Sequence, residues 1–265
     1  MLQAPKNELR VAPPYQPVFR ELGIDADEVF RHPQIKIWRK LDDRENGVLD
    51  ATLANGRHVR WHVKRYQAAR GFTLPAEDEV KGHQALVIER IPTAQLVAWG
   101  KLLDRRSFVI FEDLAGYEPA DKLVERDAVS FEAILGPTAD LAARLHEAGL
   151  HHQDLYLCHF LIDPGDLAGV RLIDPARVRR LGSVFTRRRF IVKDLAQFWY
   201  STTRLPAVAG EQRERWLERY AGRRKLTAGR VRSLTASIGR KVRRIASHDA
   251  NIHVRDPSRN VSIPR

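Results

Sequence analysis

Between residues 35 and 66, from IKIWRKL to VRWHVKRY, much of the chain alternates apolar and polar positions, the pattern of half-buried strands. NGVLDATLANGRHVRWHVKRY reads as two strands joined at Asn55-Gly56, a strong hairpin signal, with Asn46-Gly47 as a turn before them. After Pro75 the spacing in AEDEVKGHQALVIERI suits a helix with acids crowded into its first turn. AQLVAWGKLL and RSFVIFEDL read as two more strands, split by a charged turn at Asp104–Arg106, and AGYEPADK reads as a connector. Helical spacing then takes over. TADLAARLHEAGL puts Leu141, Ala142, Leu145 and Ala148 on one face, with Thr138 as N-cap and Gly149 just past the end. LCHFLI and GVRLID predict a small hairpin, and FIVKDLAQFWYST, EQRERWLERYAG and TAGRVRSLTASIGRKVRRIAS predict three helices.

The order predicts an α+β chain. An N-terminal arm over residues 1–30, with Pro13-Pro14 and Pro17, precedes a β-rich lobe over 31–114. An α-rich lobe over 115–248 and a tail over 249–265, ending in the irregular NVSIPR, complete it. A ligand cleft is expected between two such lobes.

Charge changes this picture. A net charge of +12 and a pI near 10.2 call for an anionic partner, such as a nucleotide, a phosphorylated sugar, nucleic acid or an acidic membrane surface. Nucleic acid is not the expected partner, because no helix-turn-helix, zinc-finger or RNA-recognition signature accompanies the charge. One cysteine excludes an intramolecular disulfide framework. No secretory h-region and no run of about 20 apolar residues is present, so the expectation is a cytoplasmic protein whose membrane contact is peripheral.

The chemistry concentrates in LHEAGLHHQDLYLCHFLID, residues 145–163. Its histidines at 146, 151, 152 and 159 match no metal-ligand spacing. A phosphotransfer loop fits better. The protein-kinase catalytic loop is His-Arg-Asp, four residues, then Asn; here His152-Gln153-Asp154 is followed by four residues and His159. Downstream, RLIDPARV sets a carboxylate, Asp174, after an apolar strand. Upstream, WHVKRY sets Lys64 on a strand after a hairpin, and Glu77 and Glu79 on the following helix are candidate partners. SFVIFEDL resembles the strand leading into a kinase hinge. Each piece is weak alone; together, in this order, they predict a protein-kinase-like bilobal fold with the ATP cleft between the lobes.

GLHHQDLYLCHFLI closely resembles the catalytic loop of the lipopolysaccharide core kinases, the Kdo/WaaP family, in which Tyr156 and the Cys-His-Phe run stand apart from ordinary protein kinases. LIDPARV and RRRFIVKDLAQFWYST resemble two further segments of that family, and the likeness runs from roughly residue 30 to 245. The resemblance implies an ATP-dependent kinase using Mg²⁺ to phosphorylate a sugar hydroxyl, of heptose or Kdo, in the lipopolysaccharide inner core. A kinase acting on a small molecule or protein hydroxyl, and a non-catalytic kinase-like binding protein, are the alternatives.

On that resemblance Asp154 orients the acceptor hydroxyl and takes its proton, and Asp174 holds Mg²⁺. His159 takes the second metal position or orients Asp174. Lys64, paired with Glu79 rather than Glu77, neutralises nucleotide phosphates, while Glu112 and Leu114 offer backbone groups to adenine. Asp194 is expected as a buried anchor of the catalytic loop, and Cys158 as packing. Arg177 and Arg187, within the basic group of Arg177, Arg179, Arg180 and Arg187 to Arg189, are the expected binders of the anionic core glycolipid. Between Glu211 and Arg244 twelve Lys and Arg face three acids, which suits an anionic inner-leaflet surface. Three departures stand out: one glycine in KLDDRENGVL instead of a Gly-rich phosphate loop, Gln153 where the family has Arg, and Pro175 where most kinases have an aromatic.

Overall fold

The computed structural model describes residues 7–68, 71 and 73–255. They form two compact units: one takes the chain up to Gln84 together with Ala94–Ala115, the other Ala85–Thr93 together with Gly116 onward.

The first unit holds β1 (Glu8–Val11), α1 (Gln16–Glu21), β2 (Ile35–Lys40), β3 (Arg44–Thr52), β4 (His58–Tyr66), most of α2 (Pro75–Ile88), β5 (Leu96–Lys101) and β6 (Ser107–Glu112). The strands make one six-stranded antiparallel sheet in the order β1-β5-β6-β4-β3-β2. The β3–β4 hairpin turns through Asn55-Gly56 as expected, and Gly56 takes φ 81°, a left-handed value that glycine adopts without strain.

Period-two alternation sorts the sheet's faces. Trp61 and Val63 of β4, with Phe108 and Ile110 of β6, pack against Val18, Phe19, Ile24 and Val29. Tyr66 of β4, with Val109 and Phe111 of β6, packs against Ala76 and Val80 of α2. Lys64, two residues from Tyr66, therefore shares the α2 side.

Two expectations fail here. Asn46-Gly47 is not a turn: both residues pair with β4 inside β3, and the chain reverses over residues 41–43. Glycine sits in mid-strand because an added Cβ at Gly47 would come 2.9 Å from the Ile37 side chain and 3.0 Å from the Lys36 carbonyl. Residues 8–30, within the stretch read as an N-terminal arm, supply edge strand β1 and helix α1, because Phe19 stacks on Trp61 at 5.3 Å and Tyr15 meets it edge-on at 5.8 Å. Their prolines start helical turns rather than extending the chain.

The second unit holds β7 (Glu118–Pro119), α3 (Ala120–Glu125), α4 (Phe131–Glu147), β8 (Leu150–His151), β9 (Phe160–Asp163), β10 (Asp166–Leu172), β11 (Arg179–Arg180), α5 (Val184–Thr203), α6 (Gly210–Arg223) and α7 (Ala228–Arg255). β9 and β10 form the expected hairpin, joined by β7, and β8 pairs with β11. AGYEPADK, read as a connector, contains β7 and the start of α3. The tail expected from residue 249 begins inside α7, and NVSIPR lies outside the described residues.

Thr138 is not an N-cap. α4 starts seven residues earlier, capped by the Ser130 side chain on the Ala133 N–H, and runs through Pro137. The ring removes one intrahelical donor. Thr138 is fully buried instead, donating to the Ile134 carbonyl at 2.7 Å and accepting from the Trp216 indole at 3.0 Å. Trp216 stacks on Phe198 at 4.0 Å, so this hydroxyl joins α4 and α6 beside the aromatic centre of the core.

Gly100 on β5 has no room for a side chain: an added Cβ would overlap the Glu8 carbonyl and come 2.6 Å from the Phe108 ring. Gly100→Ala is expected to lower stability by about 1–3 kcal/mol, from forced separation of β1 and β5. Urea denaturation measures it, and an unchanged midpoint would show that β1 does not depend on this close approach.

Candidate active site

In the first unit, Lys64 on β4 donates to Glu79 Oε1 at 2.7 Å, and Glu79 is fully buried on α2. Glu77 turns instead toward Lys101 at 3.8 Å. The Tyr66 hydroxyl also donates to Glu79 Oε1 at 2.7 Å, a contact the sequence reading missed although alternation puts Lys64 and Tyr66 on one face. A buried carboxylate is tolerable only with such partners, and these two fix Lys64 on the sheet.

Glu112 closes β6. Its N–H is committed to the Gln95 carbonyl at 2.9 Å, so it cannot donate to a base in this arrangement. Burial, and then the Glu112 carboxylate beside it, pushes the Tyr15 hydroxyl above its ordinary range. Leu114 packs against the cluster of Tyr66, Val109 and Phe111. Asp113 between them accepts from His62 at 2.5 Å.

In the second unit the Asp154 loop hangs from α5. Asp194, with no exposed surface, accepts the His152 N–H at 2.7 Å and the Gln153 N–H at 2.8 Å. One turn on, Gln197 Oε1 accepts the Leu155 N–H at 3.3 Å; a turn later, Ser201 Oγ accepts the Leu157 N–H at 2.9 Å. Positions 194, 197 and 201 follow helical spacing, so one face of α5 takes up successive loop amides. Asp194 matches the sequence reading. Gln197 and Ser201 were missed, and the signal was available: polar residues spaced along the otherwise apolar face of KDLAQFWYST.

A second chain supports Asp194 from behind. Arg224 donates to the Tyr220 hydroxyl at 2.6 Å, and that hydroxyl lies 2.7 Å from His146 Nδ1. His146 Nε2 lies 3.2 Å from Asp194 Oδ2. One polarity satisfies every link: guanidinium to phenol oxygen, phenol to Nδ1, Nε2–H to carboxylate. Burial opposes ionisation of Asp194, but the His146 hydrogen bond and the loop amides outweigh it and hold the carboxyl below its ordinary range.

The loop delivers Asp154. Arg177 Nη1 donates to both of its carboxylate oxygens at 3.1 Å, and Gln197 Nε2 approaches Oδ1 at 3.4 Å. His159 Nδ1 meets the Asp154 carbonyl at 2.6 Å, while Nε2 lies 3.7 Å from Asp174. Burial alone would lower the His159 imidazole; the Cys158 side chain, the Asp174 carboxylate and the Asp154 carbonyl outweigh it and push it up to about 10. Gln153 and Asp174 both take left-handed backbone, φ 67° and 60°, uncommon for residues with a Cβ and held here by the surrounding contacts. Cys158 packs partly buried against the core.

The acceptor-side arginines need revision. Arg177 is paired with Asp154. Arg187 reaches the His146 carbonyl at 3.4 Å, at the C-terminal end of α4, where a cation complements the helix dipole. Arg188 ties α5 to α7 through Ser233 and Ser237.

No group of three or more His, Cys, Asp or Glu able to hold a metal occurs among the described residues. A single hard carboxylate suits Mg²⁺, which keeps waters and takes further ligands from substrate phosphates, so Asp174 fits that ion. His159 fits less well, because its Nδ1 is committed to the Asp154 carbonyl and an imidazole nitrogen is a poorer Mg²⁺ ligand than an oxygen group.

The model of the lipopolysaccharide kinase (Kdo/WaaP) family matches residues 34–244. The chain belongs to this family. Lipopolysaccharide core heptose(I) kinase WaaP of Escherichia coli K12 is 24% identical over 223 residues, covering 73% of this chain and 80% of that protein. The WaaP of Pseudomonas aeruginosa PAO1 is 24% identical over 208 residues, covering 68% and 74%. An aminoglycoside-3'-phosphotransferase of type VIII shares the fold, with a TM-score of 0.53 at 16% identity over 79% of this chain and 94% of that one. The Kdo/WaaP chain is thus a mixed α+β protein of kinase-like fold and a phosphotransferase, and its kinase family implies ATP as phosphoryl donor. No helix among its described residues is long and apolar enough to cross a membrane.

Asp194→Ala would leave the loop amides and His146 without their buried acceptor. It is expected to cost about 3–5 kcal/mol, read from the denaturation midpoint. Burial also holds His83, His146, His151 and His152 below the ordinary imidazole value. Each takes a proton more readily when unfolded, so acid favours the unfolded chain. Stability should therefore fall as pH drops below about 6.5. His159, raised instead, works the other way: it favours the folded chain as pH falls toward about 6.5 and adds no slope once the unfolded imidazole is protonated too, so the four lowered rings outweigh it. Melting temperatures between pH 7.5 and 5 test this; a flat profile would contradict neutral burial of these rings.

Proposed function

We propose that the chain transfers the γ-phosphoryl group of ATP to a sugar hydroxyl, of heptose or Kdo, in the lipopolysaccharide inner core. One observation carries the proposal: the Asp154 carboxylate stands on a loop fixed amide by amide to α5, beside an Asp174–His159 pair. A carboxylate held that rigidly can orient an acceptor hydroxyl and take its proton late in transfer.

The other roles follow from the residues' own contacts. Lys64, fixed by Glu79, neutralises nucleotide phosphates. The adenine contact falls to the Glu112 carbonyl and the Leu114 backbone, since the Glu112 N–H is taken. Asp174 would hold Mg²⁺, which when bound supplies positive charge to the phosphate oxygens. His159 orients Asp174 and braces the Asp154 carbonyl rather than ligating the ion. On this reading the nucleotide contacts fall to the first unit and the Asp154 loop to the second. The glycolipid acceptor and the basic α6–α7 region together suit work at an anionic inner-leaflet surface.

Purified protein with Mg-ATP and core glycolipid is expected to yield phosphosugar. Asp154→Asn should lower kcat by about 10²- to 10⁴-fold, with the ATP affinity retained. Equal turnover by the variant would remove Asp154 from the chemistry. Phosphate appearing on protein or a small alcohol, with none on sugar, would move the acceptor class.

A further inference from the structure

Lys193 has no role in the reading so far. It lies on α5 one turn before Gln197, whose side chain reaches Asp154, and directly before Asp194, whose carboxylate holds the loop. Residues i and i+4 of a helix share a face, so Lys193 is on the Asp154 side of α5. It is half-buried, yet its ammonium has no hydrogen bond or ion pair among the described residues. The two carboxylates near it are already occupied: Asp194 by amides and His146, Asp154 by Arg177 and Gln197.

Two other cations crowd the same place. Burial, and then the charges of Arg177 and, from α7, Lys241, outweigh the attraction of Asp154 and Asp194 and hold the Lys193 ammonium below the ordinary lysine value. A half-buried ammonium without a hydrogen-bond acceptor, next to like charges, is unfavourable alone and is relieved by an incoming anion. Arg177 is the more exposed member: its side chain is 57% exposed, and its contact with Asp154 is through a single nitrogen.

We infer that Lys193 and Arg177 form an anion subsite beside Asp154 that takes a phosphate or carboxylate already present on the acceptor. The inference rests on the proposed sugar-kinase function and adds a requirement to it. The acceptor must carry an anionic group near the reacting hydroxyl, so the reaction supplying it is one that installs a phosphate or an acidic sugar. Binding of that group draws Arg177 from Asp154 and frees the carboxylate to face the hydroxyl.

The test is steady-state kinetics on the full chain with Mg-ATP and core glycolipid, comparing the unaltered protein with Lys193→Met and Lys193→Arg. Lys193→Met is expected to raise the acceptor KM about 10- to 100-fold and leave the ATP KM unchanged, with Lys193→Arg recovering most of the loss. An unchanged acceptor KM, or a loss confined to kcat and thermal stability, overturns the subsite. Glycolipid stripped of phosphate, and glycolipid with its carboxylates reduced, identify the group: the one that matters raises KM for the unaltered protein and not for Lys193→Met. If neither treatment does so, the subsite is overturned. Inorganic phosphate, titrated with the nucleotide site saturated by ADP, separates this idea from the wider function. Phosphate binding that weakens about tenfold in Lys193→Met supports the subsite even if no core glycolipid is turned over, in which case only the acceptor assignment fails. Phosphate binding indifferent to Lys193 removes the subsite even if glycolipid is phosphorylated.

Discussion

A single buried carboxylate organises the helical half of this chain. Asp194 has no contact with solvent, and an ionised carboxyl there is tolerable only because backbone amides and an imidazole surround it. The dependence is mutual. The loop from His152 to Leu157 has little regular hydrogen bonding of its own, so its amides need acceptors from elsewhere. α5 supplies them at one face, and Asp154 is carried along by its neighbours. Arg224, Tyr220 and His146 extend the same constraint to α6, so the loop is held by the helical core.

The Lys64–Glu79 pair in the other unit has the same logic on a smaller scale. Glu79 is buried on α2, and Lys64 and Tyr66 both aim at one of its oxygens. A flexible lysine becomes a fixed cation because sheet alternation points it at the one helix able to receive it. In both units a fully buried acid fixes its neighbours: Glu79 the Lys64 ammonium, Asp194 the amides of His152 and Gln153.

Histidine serves different ends within a short stretch. Burial holds His146, His151 and His152 below the ordinary imidazole value; His146 and His152 take hydrogen-bond partners and His151 packs on Phe190, whereas His159, between the Asp154 carbonyl and Asp174, is pushed up. Sequence spacing cannot separate these fates, because the distinction lies in which groups each ring meets after folding.

The residues by themselves determined a good deal. Alternation along β4 determined that Lys64 faces one side, Asn55-Gly56 determined the hairpin, and the order of Lys64, Asp154 and Asp174 marked kinase-like chemistry. Local signals misled where distant packing overrode them. Asn46-Gly47 looked like a turn but is strand, because β2 needs its close approach, and Thr138 looked like a cap but is core, because α4 runs through Pro137. What only the tertiary structure decided is partnership across long separations. Asp194 meets residues more than 40 positions away, Arg177 is turned onto Asp154, and Lys193 has no hydrogen-bond partner among the described residues. Periodicity states which face of an element a side chain occupies; packing of one element on another states what waits there.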